Sequence, residues 1–148
     1  MPRFARIFDA AADVLNAYYQ AIADANLDHA MSLWIDEESA SYICADGAHM
    51  HGLSEIRDGL AKQFTVSRVT IEPVDIRVHD SLSTVAYTVA EAHRPIDQSE
   101  RAMMVFSTYV LIHERGEWRI AHIHATPMPD RTASQFATKM RHGQGSLH

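Results

Sequence analysis

An α+β domain is what this sequence predicts, and three observations carry the expectation. Apolar residues recur at helical spacing as far as Phe64 and at a spacing of two from Val69 onward. The period-two segments are joined by connections too short for parallel crossovers, so neighbours must run antiparallel. The 148 residues, 47% apolar and 22% charged, also suit one packed core rather than a disordered or fibrous chain.

The first element runs from Phe4 to Ala25. Phe4, Ile7, Phe8, Ala11, Leu15, Tyr18 and Ile22 recur at steps of three and four, which defines an amphipathic helix. Asn26 ends it, and Asp28 is placed to cap a second short helix carrying Ala30, Met31, Leu33 and Trp34. A short strand, about Ala40 to Ala45, leads into the turn Asp46-Gly47. Ser54 is expected to cap a third helix, Glu55 to Phe64, with Ile56, Leu60 and Phe64 on one face. Long strands follow at Val69–His79, Thr84–Arg94, Met103–Glu114 and Glu117–Thr126, separated at Asp80-Ser81, Pro95–Glu100 and Arg115-Gly116. The expected architecture is three N-terminal helices stacked on one face of four or five antiparallel strands. Pro127 and Pro129 end the last strand. Residues 1–129 are read as the domain and 130–148 as a tail with one short helix through Phe136 and Met140.

Charge and cysteine usage narrow the function classes. Thirteen basic against nineteen acidic residues leave a net charge of −6, which argues against nucleic acid or an anionic membrane as partner. The single cysteine, Cys44, excludes an internal disulfide and a cysteine-based zinc site. No apolar run has the length of a membrane span or a signal sequence, so a soluble, cytoplasmic domain is expected. Ten histidines are the compositional oddity, since protonating all of them carries the charge from −6 to +4.

Three stretches resemble the nuclear transport factor 2-like superfamily, which includes ketosteroid isomerase, SnoaL-like cyclases and the association domain of calcium/calmodulin-dependent protein kinase II. They are the helix pair at residues 18–34, the glycine turn Gly52 to Arg57, and Gly116 to Thr126, the last most similar to the kinase domain. The resemblance implies a cystatin-like cone, a curved sheet wrapped round the first helix, with a pocket at its open end and a homodimer. Of the isomerase's three functional positions it keeps Tyr18; the other two fall at Tyr42 or Ile43 and near Thr108, which do not fit that machinery. The fold hosts enzymes and inert modules alike, so function rests on the site.

The register of those relatives assigns a pocket face of Met104, Phe106, Thr108 and Val110 on one strand. Tyr87, Val89, Glu91 and His93 line it from the next, with Trp34 and Ile123 beside Tyr18. Glu91 is the candidate acid or base and Tyr18 the oxyanion donor. The plain alternative leaves Glu91 at the rim, solvated or paired with Arg94 or Arg101. Strict alternation turns Tyr109, Trp118, Ile120, His122 and His124 outward, together with Ala86, Thr88, Ala90 and Val105, to a dimer interface. His49-Met-His51 and His122-Ile-His124 each have the spacing of a metal pair, but the predicted sheet offers no further ligands, so no metal or other cofactor is expected. His49 and His51 read as loop residues near the mouth, and Cys44 as a small buried side chain rather than a nucleophile. The expected activity is acid–base chemistry on a small, mostly apolar carbonyl or hydroxyl compound. The alternative is a non-catalytic ligand-binding or assembly module.

Overall fold

The structure, a computed structural model, describes residues 3–97 and 101–146, with side chains described over 10–97 and 101–140. Helix α1 spans Arg3–Ala23. Its stripe buries Ala11, Leu15, Tyr18, Tyr19 and Ile22 and exposes Asp13, Asn16 and Gln20, as a helical period requires. Phe4, Ile7 and Phe8 lie outside the described side chains. Helix α2, Leu27–Ser32, starts one residue before the expected cap: the Asn26 side chain accepts from the His29 N–H at 3.1 Å. Asp28 instead reaches Arg57 at 2.8 Å.

Two helices, not three, precede the sheet. Strands β1 (Ser41–Ile43) and β2 (His49–His51) form a hairpin before α3 (Gly52–Val66) begins. Helix α3 opens at Gly52, where φ is +76°, a conformation that suits glycine. Glu55 then accepts from the His51 N–H at 3.1 Å, so Ser54 lies inside the helix and does not cap it. Gly59 faces Met50, and a Cβ there would overlap the Met50 sulfur, so β2 seats its middle residue under α3.

The long strands are β3 (Val69–Asp80), β4 (Thr84–Pro95), β5 (Met103–Glu114) and β6 (Glu117–Pro127). Arg115 and Gly116, at φ +52° and +80°, make the tight turn between the last two. All six strands form one sheet in the order β2-β1-β6-β5-β4-β3. Its β1–β6 pairing is parallel, so the sheet is mixed. Helix α4, Asp130–Ser146, is longer than the short helix expected in the tail. Its Phe136 meets Phe106 of β5 edge-on, ring centroids 5.8 Å apart.

The core lies between α1 and the inner face of this sheet, and two departures from the expected register decide what it contains. In β5 the buried residues are Val105, Ser107, Tyr109 and Leu111. Met104, Thr108 and Val110 are half-buried on the opposite face, and Phe106 there is 37% exposed. Both faces of β5 carry apolar side chains, and a slip of one residue exchanges them completely. In β6 the pairing skips Ala121: Val110 faces His122, and Leu111 faces Ile120. That bulge turns Trp118 and Ile120 inward along with Ile123 and Ala125, and leaves His122 and His124 outside. Leu111 and Ile120 are both fully buried, and truncating either to Ala is expected to destabilise by about 2–5 kcal/mol.

Candidate functional site

Glu91 projects from β4 into the cone and is 0% exposed. An ionised carboxylate has acceptor capacity for about four donors, and four are present. Oε2 accepts from the Tyr19 hydroxyl at 2.8 Å and the Tyr109 hydroxyl at 2.5 Å. Oε1 accepts from the Ser107 hydroxyl at 2.7 Å and lies 2.8 Å from His93 Nε2. Helix α1 supplies Tyr19, β5 supplies Ser107 and Tyr109, and β4 supplies His93 two residues on along the same face as Glu91. One carboxylate thus ties three elements together.

Of this cluster only His93 reaches toward water, with its side chain 17% exposed. The tyrosines are sealed. Burial, then the neighbouring Glu91 charge, raises both the Tyr19 and the Tyr109 hydroxyl far above the ordinary phenol value. Tyr18 lies beside them, 1% exposed, its ring edge-on to Tyr109 at 6.1 Å between centroids. Its hydroxyl is buried without a hydrogen-bond partner among the described residues. Trp34, stacked on Tyr42 at 6.0 Å, keeps a buried Nε1–H in the same condition. Burial and then Tyr42 raise the Tyr18 hydroxyl as well. With the Trp118 Nε1–H, three buried donors stand without an acceptor among the described residues, and a buried polar group is ordinarily paired.

The sequence-predicted residues divide in two. Tyr18, Trp34, Tyr87, Val89, Glu91, His93 and Ile123 face the interior. Met104, Phe106, Thr108 and Val110 do not; they occupy the outer face because β5 sits one residue out of the expected register. Tyr109, Ile120 and Val105, expected at an outer interface, are core residues for the same reason and because of the β6 bulge. The expected approach of Tyr18 to Thr108 fails with that register. Sequence reasoning misses Tyr19 and Ser107 as site residues and assigns Tyr109 to an interface instead of the cluster. The signal for Tyr19 was available, since it stands four residues after Leu15 and three before Ile22. An open groove of about 580 Å³, lined by residues that include Val14, Leu33, His113, Trp118 and Arg119, sits by the β5–β6 turn, and Glu91 does not line it.

On the outer face, Ser41 Oγ lies 2.7 Å from His122 Nδ1. Burial, then repulsion from His124, holds the His122 imidazole below its ordinary value. Cys44 is half-buried, and burial, with Asp46 next, pushes its thiol up to about 11. Among the described residues no helix is long and apolar enough to cross a membrane.

A mixed six-stranded sheet with a long helix packed on its inner face is the nuclear transport factor 2-like, or cystatin-like, class of fold. Residues 11–130 match the SnoaL-like domain family, and the chain belongs to it. Three solved structures show the likeness of fold. A protein of Thiobacillus denitrificans assigned as a calcium/calmodulin-dependent protein kinase type II association domain is 22% identical, with a TM-score of 0.69 over 78% of this chain and 93% of that one. An NTF2-like protein of Streptomyces avermitilis assigned as a dehydratase is 17% identical, with a TM-score of 0.74 over 82% and 95%. One of Shewanella frigidimarina assigned as a ketosteroid isomerase is 19% identical, with a TM-score of 0.67 over 79% and 94%. No curated protein sequence matches the chain.

Proposed function

We propose that this protein is an acid–base enzyme acting on a small, mostly apolar carbonyl or hydroxyl compound, with His93 as its base. The 2.8 Å contact between His93 Nε2 and the buried Glu91 carboxylate carries the reading. Glu91 already accepts from three hydroxyls and has no free position for a substrate proton, so it acts through its neighbour. By accepting from Nε2–H it selects the tautomer that leaves the Nδ1 lone pair of His93 free. A C–H proton α to the substrate carbonyl passes to Nδ1, and the electrons of that bond form the enolate, placing the negative charge on the carbonyl oxygen. Glu91 stabilises the imidazolium so formed, as a positioning residue. The buried Tyr18 hydroxyl, which neighbours that of Tyr42, donates to the developing oxyanion. Return of the proton to another atom isomerises the substrate; its delivery to a departing hydroxide dehydrates it. Family relatives assigned as an isomerase and a dehydratase are consistent with either end-point.

The test is solvent exchange. A panel of small enolisable ketones and β-hydroxy ketones is incubated with the protein in D2O at neutral pD and followed by proton NMR. Protein-dependent loss of the α-proton signal is expected, reduced on the order of 100-fold in His93→Gln and less in Tyr18→Phe. No exchange above background for any compound, or equal exchange by His93→Gln, overturns the proposal.

A second reading, an assembly module, draws on the half-exposed Phe106 and its neighbours Met104 and Val110 on the outer face. A homodimer through that face predicts a concentration-dependent sedimentation coefficient at micromolar protein. A concentration-independent monomer removes it.

A further inference from the structure

Neither histidine pair belongs to the acid–base cluster, and the topology gives them a relation that their sequence positions hide. Strand β1 lies between β2 and β6. Ser41 is paired with His51 on one side and His122 on the other; Ile43 is paired with His49 and His124. Residues paired across adjacent strands project to the same side of a sheet. Tyr42, Met50 and Ile123, which alternate with them, join the core. All four histidines therefore share the outer face, in two rows with Ser41 and Ile43 at their centres. His49, His51 and His124 are exposed and His122 is half-buried. None of the four makes an ion pair among the described residues.

We infer that His49, His51 and His122 form a binding site for one late first-row divalent metal ion, of the class of Zn²⁺. Three features point there. The rings of His49 and His51 are adjacent, centroids 3.9 Å apart, so one edge strand offers two imidazoles together. Across two strand spacings, roughly 9.6 Å, stands His122. The residue between is Ser41, a small side chain over which rings from both sides can lean, whereas Ile43 fills the other row. Finally, Ser41 Oγ occupies Nδ1 of His122 at 2.7 Å and leaves Nε2 as the free nitrogen. An outer hydrogen bond on the non-ligating nitrogen is the usual way a protein orients a metal-binding imidazole.

As the rings stand, no three described His, Cys, Asp or Glu side chains close on a common ion position. Capture takes rotation of the exposed His49 and His51 about their side-chain bonds toward β1, with the backbone unchanged. A tetrahedral ion at about 2.1 Å from three imidazole nitrogens keeps its fourth position for His124 or water.

The full-length protein, stripped with EDTA, is titrated with Zn²⁺ in competition with a chromophoric chelator, while the histidine Cε1–Hε1 signals are followed by NMR. One equivalent is expected to shift the His49, His51 and His122 signals together. His122→Gln, and His49→Gln with His51→Gln, are each expected to abolish the stoichiometric site while leaving the circular dichroism spectrum unchanged. Ser41→Ala is expected to weaken binding by roughly 10–100-fold, the effect of losing an outer partner. His79→Gln, on another strand, is expected to leave affinity unchanged. The inference is overturned if no equivalent of Zn²⁺ is retained against the chelator. It is equally overturned if His122→Gln and Ser41→Ala bind as the parent does, which reduces the site to chelation by one surface pair.

Discussion

Replacing Glu91 by Ala removes the acceptor of four donors at once. The hydroxyl-bearing residues Tyr19, Ser107 and Tyr109 are at most 8% exposed, so water does not readily take the carboxylate's place. A buried donor left unpaired destabilises by about 1–3 kcal/mol, which for three gives roughly 3–9 kcal/mol before the void is counted. His93, partly exposed, rehydrates and adds little. The loss is comparable to the whole stability of an ordinary domain, about 5–15 kcal/mol. Glu91→Gln separates shape from charge. Its amide keeps the volume, its oxygen still accepts from two donors, and the Ser107 hydroxyl can turn to accept from the amide nitrogen. What is lost is charge assistance, about 1 kcal/mol per bond, partly offset because no charge is buried any longer. A net loss of about 1–3 kcal/mol is expected.

Urea unfolding followed by circular dichroism at pH 7.5 measures both variants, provided the m-value is unchanged. The expected order is parent, then Gln, then Ala, with Ala unfolded or barely folded at 25 °C. An Ala variant within about 1 kcal/mol of the parent contradicts the accounting for unpaired donors. A Gln variant more stable than the parent shows that the charge is kept against stability, which is the signature of a group held for chemistry.

Two further expectations follow from the buried hydroxyls and the thiol. Tyr18, Tyr19, Tyr42 and Tyr109 are all raised above the ordinary phenol value, burial first in each case. The fold therefore favours their neutral form: its stability is intact below the unfolded value of about 10 and falls as pH rises past it, by about 1.4 kcal/mol per unit for each phenol. Tyrosinate absorbance from these four is expected to appear only with cooperative unfolding near pH 11; gradual ionisation in folded protein contradicts it. Cys44, pushed up to about 11, is expected to react with iodoacetamide at pH 8 roughly 100-fold or more slowly than a free thiol, gaining about tenfold per pH unit. Alkylation at the rate of an unstructured peptide thiol refutes the assignment.

The elements were legible in the sequence wherever one face alone was apolar. Helix α1 shows this, since its stripe of Ala11, Leu15, Tyr18 and Ile22 is broken by Asp13, Asn16 and Gln20 at the intervening positions. The turn at Arg115-Gly116 was equally plain, because glycine tolerates the left-handed backbone that a tight hairpin requires. The parallel pairing of β1 with β6 left no such trace. Strands only three residues long carry too few side chains to specify a neighbour, and with that neighbour unknown the two histidine pairs had no reason to be considered together.

The register of β5 was a different kind of difficulty. Met104, Phe106, Val110 and Ile112 alternate with Val105, Ser107, Tyr109 and Leu111, and both sets are large enough to fill a core. Hydropathy therefore does not choose between them, and the borrowed register chose the wrong one. Polar pairing is what distinguishes the two. With β4 turned so that Val85, Tyr87 and Val89 face inward, Glu91 faces inward with them, and a buried carboxylate needs donors close by. The Met104 set brings the Thr108 hydroxyl; the Val105 set brings the hydroxyls of Ser107 and Tyr109, which meet Glu91 at 2.7 and 2.5 Å. Counting the donors that each register brings to the one charged residue on the inner face is an argument available from sequence, and it favours the observed register over its alternative. The same count explains why the cluster resists being treated as a site apart from the core. Glu91 sets the register of the strand that shelters it, so the group that orients His93 is also one that decides which side chains form the interior.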